Sequence, residues 1–282
     1  MTPAEFDAWL ETPRRRPLVM GVLNVTPDSF SDGGRFSTVD AARRQAETML
    51  LAGADLIDIG GETTKPGSAR VDAEEQIRRV VPVLNACRGL NTTFSIDTTL
   101  SRVAGATLDA GAYVVNDISA GRDDPELIRM VAERGCPVCL MHMLGQPATM
   151  QNDPAYSDVV AEVRSFLNER CDAFTRAGVR PGRLLVDPGI GFGKSLEHNL
   201  DLLAATRQFV ADGRPVLVGV SRKGFIGTLT GRTKPDERIF GTSAAISWVV
   251  TQGAAIVRVH DVAEMKEVVA VADAIGRRLP MK

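Results

Sequence analysis

The chain has 282 residues, of which 44% are hydrophobic and 24% are charged, and its net charge is −2. This length fits two average domains or one large α/β barrel, and the apolar content is sufficient for a sizeable core. Proteins that bind nucleic acids or membrane surfaces carry an excess of Lys and Arg, so the near-neutral charge argues against both classes.

Residues 1–15 form a predicted N-terminal extension. The segment MTPAEFDAWLETPRRRP has acidic residues before its arginines and lacks the apolar stretch of a signal peptide. No run elsewhere in the sequence is long and apolar enough to cross a bilayer as a helix. We therefore expect a cytoplasmic protein that does not associate with membranes.

Residues 16–282 are predicted to form one domain of repeated strand–helix units. Each unit begins with a continuous apolar run, which is typical of a buried parallel strand, and continues through a polar loop into an amphipathic helix. The predicted strands are PLVMGVLNV, DLIDIG, TTFSID, AYVVND, PVCLMHM, RLLVDPG, PVLVGVSRK and AAIVRVHD. Eight such units predict an α/β fold, the (β/α)8 TIM barrel, with a doubly wound open sheet as the alternative.

The first predicted strand runs into an unusually long polar loop, in the stretch GVLNVTPDSFSDGG. Polar side chains also follow the other seven strands, and in a barrel all of these positions lie on one rim. A single polar residue at a strand end is often only a helix cap, but polar residues at all eight ends favour a functional site. The positions are Asn24, Asp58, Glu62, Thr64, Asp97, Asn116, Asp117, His142, Asp187, Ser221, Arg222, Lys223, Arg258, His260 and Asp261.

Three motifs resemble those of other protein classes without meeting their requirements. Cys136 and Cys139 form a CPVC pair, but it lies in a predicted strand rather than at a helix start, so we expect two buried small residues. The glycine-rich LVDPGIGFGKS has three residues between Gly189 and Gly193 where a phosphate-binding P-loop needs four, although such a loop would let a flat ligand approach the backbone. His142 is one of only three histidines, which argues against a histidine-based zinc site.

The residue types on this rim predict a ligand that contains a phosphate or diphosphate. Lys223, Arg258 and His260 on the last two strands, with Lys65 in the second loop, are suitable donors to phosphate oxygens. The alternative for Arg258 is a structural ion pair with Asp261 or another aspartate.

A second group of rim residues predicts a polar heterocycle. Asp97, Asn116 and Asp187 have no obvious cationic partners in the sequence and can accept hydrogen bonds from ring N–H groups. Asn24 offers one oxygen to Mg²⁺, which takes few protein ligands beside substrate phosphates.

The sequence resembles the dihydropteroate synthases of the pterin-binding enzyme family from about Arg16 to its end. The matching segments are MGVLNVTPDSFSDGG, DIGGETTKPG, SIDT, VVNDIS, CLMHM, LLVDPGIGFGK, LVGVSRK and IVRVHDV. The resemblance implies the barrel fold, a homodimer, and a transferase that condenses 6-hydroxymethyl-7,8-dihydropterin diphosphate with 4-aminobenzoate in folate synthesis. It also implies Mg²⁺ as cofactor and sulfonamides as inhibitors.

The resemblance assigns three groups of binding residues. The pterin is held by Asp97, Asn116, Asp187 and Lys223, with Arg258 stacked on its face. The diphosphate is bound by Asn24, Lys65, Arg258 and His260, with Asn24 also contacting Mg²⁺. The aminobenzoate site consists of Thr64, Lys65, Pro66, Phe192, Ser221 and Gly224, together with Lys223. The catalytic residues are Asp97, Asp187, Lys223, Arg258 and His260, and the loops after strands one and two are expected to close over the substrates and exclude water.

Three positions depart from the pattern of many relatives. Lys65 replaces an arginine and loses its bidentate fork, so we expect a looser diphosphate contact. Leu100 replaces a lysine, and Gly224 replaces a serine while keeping its backbone N–H, so we expect aminobenzoate binding to survive. The alternative functions are a pterin-binding methyltransferase domain and a non-catalytic pterin-binding homologue.

Overall fold

The structure is a computed structural model, and it describes residues 1–26, 34–63, 68, 70–147 and 149–279, with side chains in the segment after Gly34 described from residue 38. Parallel strands alternate with helices along the chain. The strands are β1 (Leu18–Asn24), β2 (Leu56–Gly60), β3 (Thr93–Asp97), β4 (Val114–Asp117), β5 (Val138–Met141), β6 (Leu184–Asp187), β7 (Leu217–Val218) and β8 (Ile256–Val259).

The helices occupy the outside of the sheet, apart from one that precedes β1. They are α1 (Pro3–Glu11), α2 (Gly34–Leu51), α3 (Ala73–Ala86), α4 (Ser101–Ala110), α5 (Glu126–Arg134), α6 (Val159–Arg176), α7 (Leu196–Ala204), α8 (Thr206–Ala211), α9 (Gly224–Thr230), α10 (Ile239–Thr251) and α11 (Val262–Gly276). Short 3-10 turns lie at Pro181–Arg183 and Pro235–Arg238. Within the described residues, no helix is both long enough and apolar enough to span a bilayer.

The eight strands pair in parallel in the order β6-β5-β4-β3-β2-β1-β8-β7. A parallel bridge between Val186 and Val216 and a 3.0 Å hydrogen bond from Val186 N to Pro215 O join β6 to the segment before β7. The sheet therefore forms a TIM barrel, which confirms the predicted fold and excludes the open doubly wound sheet.

The helices after β6 and β7 differ from the prediction of one helix each. The first is divided into α7 and α8 at Ala205, whose ψ of 8° leaves the helical region. After β7 the predicted helix corresponds to α10, and an additional helix, α9, precedes it and ends at Gly231, which adopts a left-handed φ of 71°. The extra helix α9 begins directly after Lys223 and brings additional chain to the rim of the barrel.

Side chains inside the barrel change from apolar to polar along each strand. Successive side chains of a strand alternate between its two faces, so residues two apart share the barrel interior. The pairs Leu56 and Asp58, Val114 and Asn116, Leu185 and Asp187, and Ile256 and Arg258 each place an apolar residue below a polar one. Closing the barrel therefore brings these four polar side chains together at the carboxyl end of the sheet.

Helix α1 covers the opposite end of the barrel. Its buried residues Phe6, Trp9 and Leu10 belong to the same apolar cluster as the lower interior layer. Thr2 caps the helix with its side chain, and the Trp9 indole N–H donates a 2.8 Å hydrogen bond to Arg16 O. The predicted N-terminal extension thus closes the amino-terminal end of the barrel in this structure.

Candidate active site

A cavity of about 830 Å³ opens at the carboxyl ends of the strands. It is the place where the sequence predicts catalytic chemistry, and most of the predicted site residues line it. These are Asn24, Asp97, Asn116, Asp187, Phe192, Ser221, Lys223, Gly224, Arg258 and His260. The predicted residues Thr64, Lys65 and Pro66 and the loop TPDSFSDGG from Pro27 onward lie outside the described residues.

Arg258 forms ion pairs with two carboxylates on one side of this cavity. Its Nε donates to Asp58 Oδ2 at 2.7 Å, and its Nη2 donates to Asp97 Oδ2 at 2.9 Å. Burial works against the charge of Arg258, but the two carboxylates outweigh it and raise the guanidinium pKa. The expectation that Asp97 lacks a cationic partner is therefore wrong, because barrel closure brings β8 beside β1 and its arginine within reach of β2 and β3.

The Asp97 carboxyl combines this ion pair with burial of most of its side chain. Burial raises its pKa, and the nearby carboxylate of Asp58 adds to the effect, while Arg258 opposes it. Asp97 thus holds a proton more readily than an exposed aspartate does. Such a group accepts a hydrogen bond from a ligand N–H when ionised and can take up a proton as positive charge develops beside it.

Asp58 is the residue of this cluster that the sequence analysis places on the rim without giving it a role. Its side chain is completely buried, and its Oδ2 accepts a 3.0 Å hydrogen bond from Asn116 Nδ2 in addition to the one from Arg258. A signal for it exists in the sequence, since DLIDIG places a charged residue at an inward position of an otherwise apolar strand. Such a charge requires a partner, and only a barrel brings one from β8.

Asp187 and Lys223 form the other side of the cavity. Asp187 Oδ1 accepts a 2.7 Å hydrogen bond from Gly189 N, and burial raises the carboxyl pKa while the Lys223 charge opposes that rise. Lys223 Nζ donates to Ile190 O and lies 4.6 Å from the centroid of the Phe192 ring. Burial lowers the Lys223 pKa to about 8, because the loss of hydration of the ammonium group outweighs its attraction to the Asp187 carboxylate.

The glycines of the loop after β6 are required by the protein's own backbone. A Cβ on Gly189 would lie 1.9 Å from His142 O, and one on Gly193 would lie 2.5 Å from Leu144 O. Both residues have positive φ angles. The loop after β5 therefore occupies the space beside these two glycines, whereas Gly191 of the same loop lines the cavity, and the approach of a flat ligand to this loop stays a prediction.

Lys194 of the same loop links it to the end of β5 instead of binding phosphate. Its Nζ lies 2.9 Å from His142 Nδ1 and donates to Phe192 O at 3.0 Å. Burial lowers the His142 pKa to about 3 and also lowers the Lys194 pKa well below its usual value, so His142 is neutral and shares a hydrogen bond with Lys194. Lys194 is thus engaged by the protein itself, which disfavours a P-loop role for this lysine.

Ser221 and His260 connect the loops after β7 and β8. Ser221 Oγ accepts the backbone N–H of His260 at 3.2 Å and lies 3.1 Å from His260 Nδ1. The His260 residue is exposed at the cavity rim, but partial loss of hydration and the charge of Arg258 lower its pKa, so the ring is neutral near pH 7. The serine hydroxyl can then donate to Nδ1, which leaves Nε2–H as a hydrogen-bond donor for a ligand.

Arg222, between Ser221 and Lys223, has a left-handed φ of 62°, which is uncommon outside glycine. Its guanidinium pairs with Asp261 through Nε at 3.0 Å and through Nη2, and its backbone N–H donates to Thr242 Oγ1 at 3.1 Å. These contacts hold a strained turn whose two neighbours both line the cavity.

A magnesium site would depend on Asn24 and on the substrate. In the described part of the chain, no three His, Cys, Asp or Glu side chains converge as metal ligands. Asn24 is exposed at the end of β1 and lines the cavity. One amide oxygen fits Mg²⁺, which usually keeps several waters and binds substrate phosphates.

The two remaining predictions concern Glu62 and the cysteines. Glu62 lines the cavity, and its Oε1 accepts Val71 N at 2.8 Å and lies 3.6 Å from Arg70 Nε. Cys136 and Cys139 are buried free thiols on opposite faces of the sheet, as predicted. Burial raises the Cys136 pKa to about 11, which disfavours redox chemistry.

Comparisons with known proteins show what the chain as a whole is similar to. The sequence profile of a family described as "Pterin binding enzyme" matches residues 20–260. The dihydropteroate synthase of Escherichia coli K12 is 46% identical over 259 residues, which cover 92% of this chain and 91% of that protein.

Two solved structures of dihydropteroate synthase from Xanthomonas albilineans are also similar. One, with 4-aminobenzoic acid, is 45% identical with a TM-score of 0.88 and covers 96% of this chain and 95% of that one. The other, in complex with 7,8-dihydropteroate, is 44% identical with a TM-score of 0.85 and covers 96% of both chains.

Proposed function

Because the chain belongs to the dihydropteroate synthases of the pterin-binding enzyme family, and is therefore a transferase, we propose that it joins 6-hydroxymethyl-7,8-dihydropterin diphosphate to 4-aminobenzoate. The products are 7,8-dihydropteroate and diphosphate. The observation that supports the proposal most directly is that one cavity is lined by hydrogen-bond acceptors on some strands and by hydrogen-bond donors on others. Asp97, Asn116 and Asp187 supply acceptors for a heterocycle, beside the cations Lys223 and Arg258 and the neutral donor His260.

The proposed reaction breaks the bond between the pterin's exocyclic methylene carbon and the diphosphate oxygen. The positive charge left on the methylene spreads into the electron-rich ring. The carboxylates of Asp97 and Asp187 stabilise this charge through the ring N–H groups, and their burial strengthens the interaction. Since both carboxyl pKa values are raised, either group can also hold a proton as the ring charge changes.

The leaving diphosphate takes the bonding electron pair and is stabilised by Arg258 and the Nε2–H of His260. Mg²⁺ bound by Asn24 would supply Lewis-acid stabilisation of the same oxygens. Lys223, held between Asp187 and the Phe192 ring, lies between the proposed pterin and aminobenzoate sites. The aniline nitrogen then attacks the methylene, forms the C–N bond and loses its proton, so the reaction requires no covalent bond to the protein.

The aminobenzoate site is proposed at the cavity mouth, beside Phe192, Ser221 and Gly224. A Cβ on Gly224 would meet nothing within 4 Å. Gly224 lacks the hydroxyl of the serine that many relatives have at this position, but its backbone N–H is accessible to a ligand. Sulfonamides, which mimic aminobenzoate, are proposed to compete there. The cytoplasmic location predicted from the sequence stays a prediction.

The two alternative functions lack support from this site. A pterin-binding methyltransferase needs no diphosphate donors, and a non-catalytic homologue needs no cluster of charged groups around a reacting carbon. Here Lys223, Arg258 and His260 all line the same cavity as Asp97 and Asp187. The complete set favours the synthase over both alternatives.

A coupled assay tests the proposal. Purified protein is given the dihydropterin diphosphate and 4-aminobenzoate, with and without Mg²⁺, and dihydropteroate and diphosphate are measured together. We expect equal amounts of both products, dependent on Mg²⁺, and a loss of more than 100-fold in kcat/KM for Asp97→Ala and Lys223→Ala. Tight pterin binding without product would instead favour the non-catalytic alternative.

The proposed homodimer has a candidate surface on α10 and α11, which pack against each other. Exposed apolar residues recur every four positions on both helices, so each helix has an apolar stripe facing away from the barrel. They are Phe240, Ala244 and Trp248 on α10, and Val271, Ile275 and Leu279 on and just after α11. A second copy of the chain can cover these stripes with its own, as a two-fold dimer requires.

A further inference from the structure

Asp58 holds two cavity residues without lining the cavity itself. It lies on β2, and its side chain is completely buried inside the barrel. Arg258 comes from β8 and Asn116 from β4, and each of these strands is separated from β2 by one other strand. A single oxygen, Asp58 Oδ2, accepts from Arg258 Nε at 2.7 Å and from Asn116 Nδ2 at 3.0 Å.

The contact with Asp58 fixes which end of the Asn116 amide faces a ligand. Asp58 Oδ2 is the acceptor for Arg258 Nε as well, and the amide nitrogen of Asn116 points to it as the donor. The carbonyl oxygen Oδ1 is then directed away from Asp58, and no donor within the described part of the chain reaches it. Asn116 lines the cavity, so it presents a hydrogen-bond acceptor there.

The same oxygen also restricts the Arg258 guanidinium. Nε is bound by Asp58 and Nη2 by Asp97 at 2.9 Å, so two carboxylates from β2 and β3 fix the plane of the group. With Asp58 absent, Arg258 would retain only the pair with Asp97 among these contacts. Its orientation toward the cavity would then be free to change.

From this geometry we propose that Asp58 is a positioning residue that sets the hydrogen-bonding polarity of the pterin pocket through Asn116 and Arg258. The inference rests on the proposed function and deepens it. Asp58 selects ligands that present an N–H donor to Asn116, and it acts without touching them. The site is therefore specified by a residue one layer below the cavity wall.

A purely structural ion pair is the competing explanation, and the chain provides a matched control. Asp55 lies just before the same strand, is also buried, and pairs with Arg16 at 2.7 Å and Lys266 at 2.8 Å near the opposite end of the barrel. Replacing either aspartate by asparagine removes a buried, paired charge of β2. Only Asp58→Asn should alter the pterin pocket.

The experiment measures binding of 6-hydroxymethylpterin by calorimetry, with melting temperatures, for wild type, Asp58→Asn and Asp55→Asn. We expect Asp58→Asn to weaken binding about 10- to 100-fold, since a charged hydrogen bond that orients two ligand contacts is lost. Asp55→Asn should bind within about twofold of wild type while also melting earlier. Asn116→Ala should weaken binding much less in the Asp58→Asn background than in wild type.

The outcomes separate the inference from the proposed function. If wild type does not bind the pterin, the proposed function and the inference both fail. If wild type binds and Asp58→Asn binds equally well, or if both asparagine variants lose affinity in proportion to their melting temperatures, the inference alone is overturned. Additive effects of Asp58→Asn and Asn116→Ala would also overturn it.

A measurement on the unaltered protein covers the case in which Asp58→Asn does not fold. The side-chain amide protons of Asn116 should exchange slowly with solvent in an NMR experiment, because one is bound by a buried carboxylate. The exposed Asn152 provides the reference for fast exchange. Exchange at Asn116 as fast as at Asn152 would contradict the proposed orientation.

Discussion

Asp97, Asp187, Lys223 and Arg258 illustrate how burial changes charged side chains. Each has an opposite charge or a hydrogen-bond partner in the cavity. The pKa of each depends on how far the attraction to that partner offsets the loss of hydration, and the result differs among the four. Arg258 has two carboxylates and keeps its charge firmly, whereas Lys223 faces one and has a pKa lowered to about 8. The lysine is therefore the cation whose charge responds to moderately alkaline pH.

Pterin affinity is predicted to fall as the pH rises through about 8. Lys223 is protonated below its lowered pKa and neutral above it, so its contribution to binding is present at pH 7 and lost by about pH 9.5. Calorimetric titration with 6-hydroxymethylpterin between pH 6.5 and 9.5 measures this. In Lys223→Arg the guanidinium stays charged, so the alkaline decline should disappear. A decline that persists in the variant would assign it to ionisation of the ligand.

At the scale of elements, the loop after β6 depends on close contact with the loop after β5. Gly189 has a φ of 68°, and Gly135, at the end of α5, has a similar φ of 63°. They differ in their surroundings, because a Cβ on Gly135 meets nothing within 4 Å. Comparing substitutions at Gly189 and Gly135 therefore separates the cost of a left-handed backbone from the cost of a steric clash.

Gly189→Ala is predicted to destabilise the protein far more than Gly135→Ala. Both variants strain a left-handed residue by about 1–2 kcal/mol, but only the first drives a methyl group into His142 O. We expect Gly189→Ala to lower the free energy of unfolding by more than about 3 kcal/mol and to weaken pterin binding through Asp187, whose Oδ1 accepts Gly189 N. Urea unfolding and calorimetry measure both. Equal losses for the two variants would show that space is not limiting.

Helix α1 is predicted to contribute stability without affecting the site. Phe6 is completely buried at the amino-terminal end of the barrel, so Phe6→Ala should lower the free energy of unfolding by about 3–5 kcal/mol. The KM values for both substrates should stay within about twofold, because the cavity lies at the other end of the strands. Leu51, 91% exposed, is the control: Leu51→Ala should cost less than about 0.5 kcal/mol. A change in KM for Phe6→Ala would contradict this separation.

For the whole molecule, the prediction concerns its association. Phe240 is 86% exposed and Ile275 is 53% exposed on the two helices of the proposed dimer surface. The double variant Phe240→Asp, Ile275→Asp should shift the mass in analytical ultracentrifugation from dimer to monomer, because two charges per subunit would be buried in the contact. Leu51→Asp, on another helix, should leave the mass unchanged. A wild-type monomer at micromolar concentration would refute the proposal.

The sequence predicted the barrel because its signals are local. The alternation of apolar runs with amphipathic helices, and glycines such as Gly111 and Gly135 at helix ends, depends on neighbours within one or two turns. The candidate residues were found in the same way, since parallel strands in a barrel direct all their carboxyl ends to one rim. The break between α7 and α8 was missed because apolar periodicity continues across it, and α9 was missed because it is a short helix within a segment that was predicted as a loop.

The tertiary structure alone decided which side chains are partners. The pairing of Arg258 with Asp58 and Asp97 joins residues 200 and 161 positions apart and exists only because the ring closes. For the same reason, Gly189 is required by His142 rather than by a ligand, and His260 is neutral beside Arg258. A sequence gives the type of each side chain and its place along a strand. Its charge state and its partners depend on burial and on distances across the barrel, which are set only when all eight strands have closed.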